Sequence, residues 1–253
     1  ELALYRKYRP SNFAEVVGQE PIVQVLAGSF KQGAPAHAYL FAGSRGTGKT
    51  SVARILAHEL KTSPHDLYEI DAASSRGIDE IRELREGVRT LPFESKYKIY
   101  IIDEVHMLTK EAFNALLKTL EEPPSHVIFI LATTELHKLP ETIISRCQQF
   151  TFRNPGLDEL RTVISRAAKQ EGRKLESAAL NLVAILGDGS YRDALGVLQQ
   201  AFGATVDKTI TASLISSISG APPSKLISQF IEGLVGQDAE KGLTAIRQAA
   251  DLH

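Results

Sequence analysis

Residues 43–50 read Gly43-Ser44-Arg45-Gly46-Thr47-Gly48-Lys49-Thr50, and this octet decides the fold. It has the complete P-loop spacing and stands between an apolar run at 38–42 and a helix-length run at 50–61, the strand-to-helix context that the motif requires. Glycines let such a loop wrap so that backbone N–H groups, reinforced by the helix N-terminus, face a phosphate. Lys49 would reach the β and γ oxygens, and the Thr50 hydroxyl would serve Mg²⁺. Gly43, Ser44, Arg45, Gly46, Thr47, Gly48, Lys49, Thr50 and the adjoining Ser51 are therefore the candidate phosphate-binding residues. The bland alternative is a Gly-rich turn that binds nothing; the intact Lys-Thr ending weighs against it.

Outward from the octet, short β-rich runs alternate with amphipathic runs of helix length. Strands are expected at 38–42, 67–71, 99–103, 127–132 and 149–152, with crossover helices at 50–61, 77–89 and 110–121. Most of these strand runs are near-continuous Ile, Leu, Val, Phe and Tyr, as strands buried on both faces should be. Thr109 is the expected N-cap of the third helix, and Pro123-Pro124 stops it, with Glu121-Glu122 merely closing its last turn. The pattern predicts an α/β fold with a parallel sheet flanked by helices. After Asn154-Pro155-Gly156 the β signal disappears, and helical runs follow at 157–171, 177–186, 191–202 and 210–219. Gly220-Ala221-Pro222-Pro223 breaks the chain before two further amphipathic helices at 224–235 and 239–252, which have no obvious partner. The expected domains are 1–154 (α/β), 155–219 (small helical lid) and 220–253 (the start of a third, helical domain, cut short).

The run Ile99-Tyr100-Ile101-Ile102 ends in Asp103-Glu104, two carboxylates at the carboxyl edge of a sheet, where doubly wound folds bind ligands. Asp103 would hold Mg²⁺, leaving Glu104 to orient or deprotonate a water that attacks in line. A solvated Asp-Glu pair is common at strand ends, but with the P-loop upstream the pair predicts an ATPase using ATP and Mg²⁺.

Bulk composition narrows the remaining classes. A chain of 253 residues, 43% hydrophobic, can bury more than one core. Lys plus Arg total 29 against 30 acids, for a net charge of −1, so there is no global field to attract nucleic acid. Arg76, Arg82, Arg85 and Arg89 recur on one expected helix, yet Glu80, Glu83 and Glu86 interleave with them, and a solvated charged face is the better reading. One cysteine, Cys147, read as a small buried hydrophobe, and seven histidines show no zinc-site spacing. With no membrane-length apolar run and no signal-peptide layout at its start, the chain is expected to be soluble and cytoplasmic.

Asp103-Glu104-Val105-His106, Asn114-Ala115-Leu116-Leu117-Lys118-Thr119-Leu120-Glu121-Glu122-Pro123-Pro124 and Ala132-Thr133-Thr134 resemble the bacterial DNA polymerase III gamma/tau family of AAA+ clamp-loader ATPases. Further matches are Tyr8-Arg9-Pro10, Val16-Val17-Gly18-Gln19, Ile144-Ser145-Arg146-Cys147 and Gly189-Ser190-Tyr191-Arg192-Asp193-Ala194-Leu195. The resemblance implies that Arg9, Pro10 and Val17 border adenine and ribose, that Thr133 is a sensor near the γ-phosphate, and that Arg192 is a second sensor. Arg146 resembles the arginine finger that completes a neighbouring subunit's site. On their residues alone, Arg146 and Arg192 are better read as solvated surface charges, and Thr133 could simply bond its own backbone. Residues beyond 205 resemble the start of the family's oligomerising collar. The implied partners are delta, delta-prime and further gamma/tau copies, the sliding clamp, and primer-template DNA recognised by backbone shape, with no membrane.

The sequence departs from the family at Leu60-Lys61-Thr62-Ser63-Pro64-His65-Asp66-Leu67, which runs across the place of a four-cysteine zinc module, so no zinc is expected. Two rivals remain to be separated: a ring helicase of the branch-migration kind, and a clamp-loader scaffold with a degenerate nucleotide site. The run at 114–124 with Ser145-Arg146-Cys147 argues against the first; intact Lys49, Thr50, Asp103 and Glu104 argue against the second.

Overall fold

The computed structural model of the protein describes residues 2–31, 33, 35–74, 84, 86–220 and 224–250. Its contacts divide it into two compact units, Arg9–Pro155 and Glu1–Tyr8 with Gly156–His253. In chain order the main elements are α1 (Leu4–Lys7), α2 (Glu20–Lys31), β1 (Ala38–Ala42), α3 (Lys49–Glu59), β2 (Leu67–Asp71) and β3 (Lys98–Asp103). They continue with α4 (Lys110–Glu121), β4 (Val127–Thr133), α5 (Glu141–Ile144), β5 (Gln148–Thr151), α6 (Leu157–Gln170) and β6 (Lys174–Leu175). The last are α7 (Ser177–Leu186), α8 (Tyr191–Ala204), β7 (Thr209–Ile210), α9 (Ala212–Ser219), α10 (Ser224–Val235) and α11 (Ala239–Ala250).

In the unit Arg9–Pro155, five parallel strands stand in the order β2-β3-β4-β1-β5. Alternate residues serve opposite faces, as strand geometry dictates. Tyr39, Phe41, Ile99, Ile101, Ile128 and Ile130 pack with Ile22 and Leu26 of α2 and Val52, Ala53 and Leu56 of α3. Leu40, Tyr100, Ile102, Phe129 and Leu131 pack with Phe113, Leu116 and Leu120 of α4 and with Leu84 and Val88. This makes three layers, helix, sheet and helix, and each fully buried Leu or Ile in them stabilises by roughly 1.5–3 kcal/mol. Thr109 caps α4 as expected, its hydroxyl accepting from the Ala112 N–H at 3.2 Å.

β2 differs from the buried strands. It is an edge, with Glu69 and Asp71 exposed and Tyr68 half-exposed, because only β3 pairs with it. Of the expected helix at 77–89, residues 86–88 are helical, whereas residues 75–83 and 85, with Arg76, Arg82, Arg85, Glu80 and Glu83, lie outside the described residues.

In the helical unit, α6, α7, α8 and α9 enclose a core of Leu160, Ile164, Val183, Leu195, Leu198 and Ile215, joined by Leu4 of α1. The Leu4 N–H donates to Gln199 Oε1 at 2.9 Å, and Lys7 and Tyr8 both donate to Glu171. Two expectations are corrected here. The β signal does not vanish after residue 156, since β6 and β7 pair in parallel. Ile210 is not a helix start but a buried strand residue, because Thr211 caps α9 one position later by accepting from the Leu214 N–H. Beyond residue 220, α10 and α11 approach so closely that a Cβ on Gly233 would meet the Gly242 nitrogen at 2.7 Å. Ile231, Leu234, Val235 and Leu243 remain exposed on this pair. Among the described residues no helix is long and apolar enough to cross a membrane.

Asp66 fixes the loop that leads into β3. Its buried carboxylate accepts N–H bonds from Phe93, Glu94 and Ser95 at 2.6, 2.9 and 2.8 Å. Burial pushes the carboxyl up, but the three amides outweigh it and hold its pKa at about 2, below the usual 3.8. A depressed folded-state pKa stabilises above the unfolded value and is lost as pH falls through the folded one, so Asp66 contributes about 2 kcal/mol near neutrality. Asp66→Asn is expected to lose stability of this order in urea unfolding at neutral pH, and the difference from wild type should shrink as pH falls toward about 2.

Candidate active site

The ends of β1, β3 and β4 deliver the candidate residues to one edge of the sheet. β1 ends at Ala42, opposite Thr133 of β4, and the Gly43 N–H donates to the Thr133 carbonyl at 3.2 Å. Gly43 passes so close to the β5 side that a Cβ there would meet the Phe152 carbonyl oxygen at 2.5 Å. Gly46 and Gly48 have φ of 74° and 103°, in the left-handed region that favours glycine. Thr47 closes the turn by donating from its hydroxyl to the Ser44 carbonyl at 2.9 Å. Lys49 opens α3 with its side chain buried, its ammonium donating to the Gly43 and Ser44 carbonyls at 2.7 and 2.8 Å. Ser51 follows in the first turn of α3, and Arg45 sits exposed on the loop.

Thr50 Oγ1 donates to Asp103 Oδ2 at 2.6 Å. The contact joins the first turn of α3, which follows β1, to the end of β3, with β4 between those strands in the sheet. A hydroxyl beside a carboxylate is a hard-oxygen pair that suits Mg²⁺, an ion that ordinarily fills its remaining positions with water and substrate phosphates. Among the described residues no group of three or more His, Cys, Asp and Glu could hold a metal. Two protein oxygens leave most of an octahedral shell open, so the pair fits an ion whose other ligands are water and nucleotide phosphates.

Glu104 adopts φ 49°, a left-handed conformation unusual for a non-glycine residue and often found at functional sites. Its N–H donates to Asp103 Oδ1 at 3.0 Å, and Glu104 Oε2 accepts from the Thr134 hydroxyl and N–H at 2.9 and 3.3 Å. The Thr133 hydroxyl, buried at the end of β4, lies 2.9 Å from His106 Nδ1 and accepts the Glu135 N–H at 3.0 Å. His106 Nε2 lies 3.1 Å from Glu135 Oε2. Glu135 also pairs with Lys138, whose hydrogen bond and charge hold the Glu135 carboxyl below the usual range against a smaller effect of burial.

The expected site residues separate into four groups. Gly43 to Thr50, Asp103, Glu104 and Thr133 form one connected cluster. Arg9, Pro10 and Val17 are half-buried in the same unit. The link from their segment to the loop is Gln19, which is buried and donates to the Arg153 and Thr47 carbonyls at 2.8 and 3.4 Å. Arg146, half-buried after α5, spends its guanidinium on Glu121 at 2.9 Å and on the Thr142 carbonyl at 2.7 Å. Arg192 belongs to the helical unit, where its guanidinium stands 5.5 Å over the Tyr5 ring. Cys147 packs against the sheet core, and burial pushes its thiol up to about 12. Sequence reasoning gave no role to Gln19, His106, Glu121, Thr134 or Glu135. The available signal for His106, Thr134 and Glu135 was their place directly after two strands that proved to be neighbours.

Similarity to known proteins agrees with this geometry. A sequence-family profile described as "DNA polymerase III, delta subunit" matches residues 62–156. The tau subunit of DNA polymerase III from Bacillus subtilis is 43% identical over 269 residues, covering 97% of this chain and 47% of the relative. The gamma subunit from Buchnera aphidicola is 38% identical over 271 residues, covering 99% of this chain and 73% of that relative. The chain belongs to the DNA polymerase III gamma/tau family. It spans about half the length of the tau relatives. Among solved structures, the Thermotoga maritima RuvB Holliday junction branch migration motor superposes with a TM-score of 0.70 at 21% identity, covering 90% of this gamma/tau chain and 79% of RuvB. At that identity the likeness establishes the fold alone, a parallel α/β sheet followed by helices.

The two loop glycines should differ in their tolerance of a side chain. Gly48→Ala meets nothing within 4 Å and is expected to cost only the left-handed conformation, about 1–2 kcal/mol. Gly43→Ala adds a collision with the Phe152 carbonyl, so thermal unfolding should show the larger loss for Gly43→Ala.

Proposed function

We propose that this chain is the ATP-hydrolysing motor of a bacterial DNA polymerase III clamp loader, acting in the cytoplasm to load the sliding clamp onto primed DNA. The observation that carries this reading is the Thr50–Asp103 contact at the mouth of an intact P-loop, with Glu104 next in the chain and its carboxylate held by Thr134. In this account the loop amides and Lys49 bind phosphate oxygens, Lys49 giving up its two loop carbonyls to do so. Thr50 and Asp103 hold Mg²⁺, which when bound offsets the charge of the phosphates. Glu104 orients or deprotonates the attacking water, and Thr133 faces the γ-phosphate.

Arg9, Pro10 and Val17 border the base and ribose, and Arg192 is a second sensor. Arg146 leaves Glu121 to complete the site of a neighbouring subunit, so each site needs its neighbour, and head-to-tail contacts of that kind build rings or spirals. The partners are delta, delta-prime and further gamma/tau copies, the clamp, and primer-template DNA read by shape. A second reading, a scaffold subunit that does not hydrolyse ATP, draws on the match to the delta-subunit profile. That match begins after the P-loop, and intact Lys49, Thr50, Asp103 and Glu104 weigh against it.

Steady-state ATP hydrolysis, alone and with partner subunits, clamp and primed DNA, tests the proposal. Turnover should be stimulated by the complete set, lost in Lys49→Ala, and lowered at least about 100-fold in Glu104→Gln with ATP still bound. Arg146→Ala should abolish the stimulated part. Nucleotide binding without stimulated turnover would favour the scaffold.

A further inference from the structure

His106 occupies a position that the proposed mechanism does not use. Its imidazole is 5% exposed and lies between the ends of β3 and β4. Nε2 faces Glu135 Oε2 at 3.1 Å, and Nδ1 faces Thr133 Oγ1 at 2.9 Å. An ionised carboxylate can only accept, so the proton of the neutral ring belongs on Nε2 and Nδ1 is left as an acceptor. The Thr133 hydroxyl must then donate to Nδ1. The same oxygen accepts the Glu135 N–H at 3.0 Å, which leaves that hydroxyl no freedom of direction. Its neighbour Thr134 holds Glu104 Oε2 by two bonds, and Nδ1 is 3.5 Å from that oxygen.

We infer that His106 is a positioning residue for hydrolysis, the middle of a Glu135–His106–Thr133 relay that sets the direction of the Thr133 hydroxyl beside Glu104. The inference rests on the ATPase reading above and deepens it. His106 itself touches neither nucleotide nor water in this account. Glu135 fixes the ring's tautomer, and the ring fixes the hydroxyl, much as second-layer carboxylates orient histidines elsewhere. The cluster also explains why a buried imidazole stands beside two carboxylates: both of its nitrogens have partners, so its burial leaves no polar atom unpaired.

Two substitutions separate positioning from packing. The side-chain oxygen of His106→Asn falls near the place of Nδ1 and can still accept from Thr133, whereas His106→Gln reaches toward Glu135 and leaves Thr133 without its acceptor. ATP turnover by the assembled protein, with melting temperature and ATP affinity, would be measured for both beside wild type and Lys49→Ala. His106→Gln is expected to lower kcat about 10- to 100-fold with KM nearly unchanged, while His106→Asn, equally stable, keeps most of the wild-type kcat. Equal kcat in all three proteins, or parallel loss of kcat, KM and melting temperature in both variants, would overturn the inference. Absence of Lys49-dependent turnover in wild type is a distinct result, in which the ATPase reading falls and takes this inference with it.

Discussion

The hydrogen bond from Thr50 to Asp103 spans the carboxyl edge of a parallel sheet, and most of the active-site account depends on the strand order that makes it possible. β1 carries the phosphate loop, β3 carries the acid pair, and β4 stands between them with Thr133 at its end. Because all three strands are parallel, every loop leaving them emerges on the same side. β1, β4 and β3 up to Asp103 are buried without interruption, and their parallel pairing sets Ala42 beside Thr133 and Ile102 beside Leu131. A polar cluster at the edge is thus the consequence of an apolar sheet behind it.

Much of that sheet could be read in the sequence. The runs that became β1, β3 and β4 are continuous apolar segments ending in Gly43, Asp103-Glu104 and Thr133-Thr134, so strand and site were legible together. The glycines of the loop announce their own backbone conformation, and the structure gives Gly46 and Gly48 positive φ. Thr109 was readable as a cap because its bond is local.

Illegible features are those whose partners lie far away in sequence or are too short to show a period. Pairing of β6 with β7 involves only two residues on each side, so no alternation is visible, and Ile210 passed for the first turn of a helix. Leu4, Lys7 and Tyr8 gave no hint that they would meet Gln199 and Glu171. Glu121 looked like the end of a helix, and only the fold sets it against Arg146. His106 stands in a recognisable run, but its connection to Thr133 and Glu135 exists only once β3 and β4 lie side by side. Arg192 could be assigned a role by resemblance, whereas its cation–π contact with Tyr5 needed coordinates.

In the proposed mechanism the ends of β1, β3 and β4 form one site for a Mg²⁺-bound nucleoside triphosphate. A crystal structure with a non-hydrolysable ATP analogue and Mg²⁺ tests it most directly. With the analogue bound, Lys49 should leave the Gly43 and Ser44 carbonyls for phosphate oxygens, and the direct Thr50–Asp103 hydrogen bond should give way to the ion. A triphosphate seated elsewhere, or one seated here with both of those contacts intact, would contradict it.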